Sequence, residues 1–169
     1  MNNIAYIDNQ NLFMATKTCA QPWTIDMQRF RVYLRDRYKC NTALLFMGAY
    51  ESKYSTTYKM FETFGYKLMF RTHDIGAGSK KKGNVDTDIV FQMMYDSFYK
   101  LEIDKAVLVS GDGDYYKTVS HLLNAGKLEC LILPSHKNAS SLYKKLTHKY
   151  YIYLDDLSYR NKLEKRKRN

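Results

Sequence analysis

The sequence predicts an α/β fold, a three-layer α/β/α sandwich whose mainly parallel central sheet is covered by helices on both faces. Three observations lead there. Short continuous apolar runs, such as Ala106-Val-Leu-Val109, read as strands buried on both sides. Helical stretches alternate with those runs along most of the chain. Carboxylates stand just where strands end, at Asp8 and again at Asp112 and Asp114, and open α/β sheets bind ligands beyond the carboxyl ends of their strands.

The elements follow in order. Ile4–Asp8 is a first strand, and Asp8-Asn-Gln-Asn11 offers side chains that cap or turn the chain into a helix beginning near Leu12. Pro22 interrupts, and Thr24 or Asp26 opens a second helix through Tyr38. Thr42–Tyr50 is a second buried strand. Ser55–Phe64 is a helix stopped by Gly65. Tyr66–Arg71 alternates as a third strand, and a polar, Gly-rich loop runs from His73 to Asn84. Val85–Lys100 is a helix with Ile89, Val90, Met93, Met94 and Phe98 as its apolar stripe. Ala106–Val109 is the central strand, and two glycines in Ser110-Gly-Asp-Gly-Asp114 let the backbone turn into a helix over Tyr115–Asn124. Lys127–Pro134 is a fifth strand. Asn138 or Ser140 begins a helix to about His148, and Tyr151–Leu154 is a short last strand. Residues 1–157 therefore make one domain, and residues 158–169 a basic tail.

Composition narrows the function classes. Net charge is +10, from 27 basic against 17 acidic residues, so a polyanion is the expected partner and nucleic acid the first candidate. No apolar run approaches the ~18 residues of a membrane span, so no membrane partner is expected. The N-terminus lacks a basic n-region and a cleavage site. Cys19, Cys40 and Cys130 are odd in number and lack metal-ligand spacing, so they read as free thiols in a reducing, cytoplasmic setting. His73, His121, His136 and His148 show no ligand spacing either.

The carboxylates carry the chemistry. Asp8 ends the first strand, Asp112 and Asp114 end the fourth, and Asp86 and Asp88 open the helix between. Two carboxylates about 4 Å apart repel by ~1 kcal/mol in water and ~4 at a near-surface dielectric. Gathering them requires a cancelling charge, and Mg²⁺ or Mn²⁺ suits carboxylate and water ligands. Each aspartate also has a plain reading, as an N-cap, a turn residue or an acidic residue near a helix N-terminus. Asp86 and Asp88 cannot share a helix face, because residues two apart point away from one another. Lys80, Lys81 and Lys82, just before this helix, are placed to hold an RNA backbone or to form a solvated charge run.

Three segments together, Ile7-Asp-Asn-Gln-Asn11, Lys82-Gly-Asn-Val-Asp-Thr-Asp-Ile89 and Val109-Ser-Gly-Asp-Gly-Asp-Tyr115, resemble the NYN domain family. That family is the branch of the PIN-like nucleases that includes LabA-type bacterial proteins. The resemblance runs from about Ile4 to Leu154, and its most specific part is Ser-Gly-Asp-x-Asp after an apolar strand. It implies a PIN-like sandwich and a metal-dependent ribonuclease giving 5′-phosphate and 3′-hydroxyl ends. It implies Asp8, Asp86, Asp112 and Asp114 as the catalytic, metal-site carboxylates; the reading of the carboxylates themselves adds Asp88 as an assisting metal-site residue. It implies Asn11 and Ser110 as polar supporters near the scissile phosphate. Tyr115 stands where the family more often has Phe, and the Lys-rich insertion before Asp86 is more basic than usual. A homodimer is a further expectation. The rival class is a PIN-like RNA-binding or protein-interaction module without turnover. A haloacid-dehalogenase phosphatase needs a second Asp two residues after the first, where Gln10 stands. A P-loop NTPase needs a Gly-x-x-x-x-Gly-Lys-Ser/Thr run that this sequence lacks.

Overall fold

A computed structural model of the chain describes residues 1–71 and 85–166. In chain order the elements are β1 (Asn3–Asp8), α1 (Asn9–Thr18), α2 (Met27–Tyr38), β2 (Cys40–Met47), α3 (Ser55–Thr63), β3 (Lys67–Phe70), α4 (Val85–Tyr99), β4 (Ala106–Val109), α5 (Tyr116–Asn124), β5 (Leu128–Leu133), β6 (Tyr151–Tyr153) and α6 (Leu157–Leu163). The strands form one sheet in the order β3-β2-β1-β4-β5-β6, and every pairing is parallel. The architecture is the three-layer α/β/α sandwich that the alternation predicts.

Period-two alternation divides the core between the faces. Ala5, Ile7, Val107, Val109 and Ile132 point to one side, where α1, α2 and α3 cover them with Leu12, Phe30, Leu34 and Phe61. Tyr6, Leu44, Leu108 and Leu131 point to the other, under Ile89 and Met93 of α4 and Val119 and Leu122 of α5. Helix α4 is also pinned by a buried polar group. Asp96, 1% exposed, accepts hydrogen bonds from the Tyr6 hydroxyl at 3.0 Å and Gln92 at 2.8 Å, and Lys100 Nζ lies 2.6 Å away. A buried carboxylate is tolerated only with such partners.

The strand order places a topological switch point between β1 and β4. The chain leaves β1 toward β2 on one side and leaves β4 toward β5 on the other, so a crevice opens at their carboxyl ends. Pairing of Ile7 with Val109 sets Asp8 beside Ser110 at its edge. A dinucleotide fold would carry a glycine-rich turn after β1, but Asp8-Asn-Gln-Asn11 stands there instead.

Two expectations are corrected. The helix expected from Asn138 or Ser140 to His148 is instead two 3₁₀ turns, Ser141–Lys145 and His148–Tyr150. Ser140 donates its backbone N–H to Gly111 O, and the Tyr143 hydroxyl donates to Asp112 O, so this segment is drawn onto the loop after β4 rather than winding freely. The stretch expected as a basic tail, 158–169, begins as part of α6. Leu163 is buried, Arg160 pairs with Glu164, and Glu164 bridges to Ile25. A single apolar anchor inside a charged run fastens it to the core; residues 167–169 lie outside the described residues.

All three cysteines are free and buried. No helix of the described residues is long and apolar enough to cross a membrane.

Candidate active site

The site is built on the ends of β1 and β4 and the first turn of α4. Asp8 is the N-cap of α1: its Oδ1 accepts the Asn11 backbone N–H at 2.9 Å. Its Oδ2 accepts from the Ser110 hydroxyl at 3.4 Å and the Tyr115 hydroxyl at 3.3 Å. Burial holds the Asp8 carboxyl above its ordinary pKa, the Asn11 N–H pulls it down, and the Asp86 charge adds to the rise.

The loop after β4 is a chain of short-range turns. Asp112 N donates to Ser110 Oγ at 3.1 Å, and Asp114 N donates to Asp112 Oδ1 at 3.0 Å. Gly111 N donates to the Asn11 side-chain oxygen at 2.8 Å, tying this loop to the start of α1. Glycine is needed here because the loop runs against the segment before the first 3₁₀ turn. A Cβ on Gly111 would lie 3.3 Å from both Ala139 Cα and Asn138 O, which are backbone atoms. Gly111→Val should therefore cost roughly 1–3 kcal/mol as overpacking, several degrees of Tm for a chain this size. Gly48→Ala, with nothing within 4 Å of the added methyl, should leave the thermal midpoint unchanged; calorimetry of the two variants makes the comparison.

One carboxylate oxygen each from Asp86, Asp112 and Asp114 lies within 4.8 Å of the other two. Asp86 and Asp112 are half-buried and Asp114 is exposed. At that separation each pair repels by ~1 kcal/mol in water and ~3 at a near-surface dielectric. The donor set is all carboxylate oxygen, the chemistry that hard divalent cations take. These three side chains would hold such an ion by drawing together around it, each giving one oxygen. Asp8 stands behind this group, joined to Asp86 through one phenol: Tyr115 donates to Asp86 Oδ1 at 2.5 Å as well as to Asp8.

The expected residues therefore separate. Asp86, Asp112 and Asp114 converge, and Asp8 adjoins them. Asp88 is exposed and outside the cluster, because two residues along a helix turn it away from Asp86. Asn11 and Ser110 support the loop after β4 and the Asp8 carboxylate through the hydrogen bonds above. Lys80, Lys81 and Lys82 lie outside the described residues. What sequence reading missed is the part played by the hydroxyls of Tyr115 and Tyr143. Both sit in the core, and an aromatic at a buried position gives no sign of where its hydroxyl points.

An all-parallel sandwich with acidic side chains gathered at its switch point is compatible with a PIN-like nuclease fold. The NYN domain family matches residues 4–155, and the chain belongs to that family. Among solved structures, the chain resembles a protein of unknown function from Vibrio parahaemolyticus RIMD 2210633, with TM-score 0.74, 18% identity and 96% of each chain covered. That likeness speaks to the fold. A comparison with curated proteins gives no match.

Proposed function

We propose that this NYN-family protein is a metal-dependent ribonuclease that hydrolyses RNA phosphodiester bonds. The observation that carries the reading is the meeting of Asp86, Asp112 and Asp114 at the β1–β4 switch point within a nuclease family fold. These three side chains would hold Mg²⁺ or Mn²⁺, with Asp8 completing the acidic set. A cation of this kind lowers the pKa of a coordinated water and offsets charge on a phosphoryl group.

The chain's own residues supply the rest. Ser110 and Asn11 fix the Asp8 carboxylate and the turn carrying Asp112, so the acidic groups are held before substrate arrives. Lys80, Lys81 and Lys82 immediately precede α4 in sequence and would bring positive charge to the RNA backbone beside Asp86. The net charge of +10 favours a polyanionic substrate in the same way. Three buried free thiols fit a cytoplasmic setting.

The test is cleavage of end-labelled single-stranded RNA with Mn²⁺ or Mg²⁺, with EDTA as control and single-stranded DNA of the same sequence beside it. Metal-dependent cutting of RNA that EDTA abolishes is expected. RNA binding with no cutting under any of the metals would assign the protein to the binding-module class instead. Equal cutting of DNA would remove the RNA preference.

A further inference from the structure

We infer that Tyr115 is a positioning residue for the cation site: its hydroxyl ties Asp86 to Asp8 and holds the three-carboxylate cluster in a binding geometry. This inference rests on the reading of Asp86 as a cation ligand. Tyr115 is fully buried, on the 3₁₀ turn that leads from the loop after β4 into α5. Its ring packs in the core beneath α4 and α5, so the direction of its C–O bond is set by packing. The hydroxyl has one proton and two facing carboxylates, Asp86 Oδ1 at 2.5 Å and Asp8 Oδ2 at 3.3 Å. The shorter contact is the stronger, so the proton chiefly serves Asp86.

The consequence is geometric. Asp86 reaches the site from α4, whereas Asp112 and Asp114 come from the loop after β4. Tyr115 belongs to that second segment, one residue beyond Asp114. Its hydrogen bond therefore joins the two segments whose carboxylates must meet. It also masks part of the repulsion between Asp8 and Asp86, which otherwise drives the cluster apart. Phenylalanine fills the same space and provides neither the link nor the masking.

The test is Tyr115→Phe in the full chain, with Mn²⁺ affinity measured by electron paramagnetic resonance and the fold checked by circular dichroism and Tm. Loss of an outer partner of this kind weakens metal binding by about 10–100-fold. The expected result is a loss in that range, with a native spectrum and a matching rise in the Mn²⁺ concentration needed for half-maximal cleavage. A second variant, Asp8→Asn with and without Tyr115→Phe, locates the effect: removal of the hydroxyl should cost less once Asp8 is neutral. Parent-like Mn²⁺ affinity in Tyr115→Phe would overturn the inference and leave the nuclease reading standing. Failure of the parent to bind Mn²⁺ would overturn both.

An independent observation concerns the outer face of α4. Phe91, Tyr95, Phe98 and Tyr99 are 66%, 45%, 43% and 76% exposed, and with Met94 and His121 they line a shallow groove of about 450 Å³. Phe91, Tyr95 and Tyr99 stack in a row, with centroids 5.9 and 5.4 Å apart. Aromatic side chains carry ~150–250 Å² each, so the four present on the order of 500 Å², more than half of the ~800 Å² per partner that a stable interface buries. We propose that this face binds a second copy of the chain through a two-fold, antiparallel α4–α4 contact. Lys100, just past the end of the helix, is held by Asp96 of its own chain, so the contact is carried by the aromatic row, which a two-fold axis sets against itself. The exposed Asp88 carboxylate disfavours a polyanion on the same row.

Light scattering of the full chain should give twice 20.0 kDa, and Phe91→Ala with Tyr99→Ala should return it to a single chain with its circular dichroism unchanged. A parent of single-chain mass, or a double variant that stays dimeric, would overturn the proposal. So would a monomer that loses RNA affinity in the double variant, which would assign the row to RNA.

Discussion

Asp112→Asn should lose metal-dependent cleavage by about 10²–10³-fold, ~3–4 kcal/mol of barrier, while unfolding at the parent's temperature or above it. The two halves of this result have separate causes. Asparagine keeps the side-chain oxygen that accepts the Asp114 N–H, and its backbone still donates to Ser110 Oγ, so the turn survives. What it removes is one negative charge from three that crowd within 4.8 Å. Without a cation that charge is a liability, and its removal relieves repulsion with both neighbours. With a cation it is a ligand, and its removal weakens binding. The parent should therefore gain Tm on addition of Mn²⁺, by mass action on the native state alone, and the variant should gain much less. Differential scanning fluorimetry with and without Mn²⁺, paired with an RNA cleavage assay, measures both halves. A variant that cuts RNA as well as the parent would remove Asp112 from the mechanism.

Sequence and structure agree most closely where local chemistry settles the outcome. The end of β1 is legible because Asp8 caps the next helix, and the end of β4 because Val109 gives way at once to Ser110-Gly-Asp. Parallel pairing of those two strands then does the rest, since adjacent parallel strands deliver their carboxyl ends to one edge. What stays hidden depends on long-range contacts. Asp96 reads as a polar residue on a helix, yet it is 1% exposed, and only the β1–α4 packing brings the Tyr6 hydroxyl to it. The segment after β5 has enough apolar residues for a helix, but its backbone serves the loop that carries Asp112. Asp88 shows the converse. Composition alone makes it a fifth carboxylate for the site, and helix geometry alone turns it away.

Asp8 should divide fold from function. Asp8→Ala removes the cap of α1, worth about 1 kcal/mol, and takes the acceptor of the buried Ser110 hydroxyl, while Tyr115 keeps Asp86; Asp8 itself is 6% exposed. Buried groups left short of a partner cost about 1–3 kcal/mol. The total of roughly 2–4 kcal/mol corresponds to a fall in Tm of about 4–16 °C for a chain of this size. Asp8→Asn keeps an oxygen for the Asn11 N–H and carries no charge, which suits a position whose burial already favours the neutral form. The sign follows from linkage. A carboxyl whose folded pKa is raised contributes stability below its unfolded value, near 3.8, and that contribution disappears as pH rises through the folded value. In EDTA, then, Asp8→Asn should match or exceed the parent's stability at neutral pH and lack this part of its pH dependence. If Asp8 also serves the reaction, Asp8→Asn is stable and inactive, whereas Asp8→Ala is unstable and inactive. Thermal melts from pH 4 to 8 beside RNA cleavage assays separate these outcomes. An active Asp8→Asn would reduce Asp8 to a helix cap and leave Asp86, Asp112 and Asp114 as the whole acidic site.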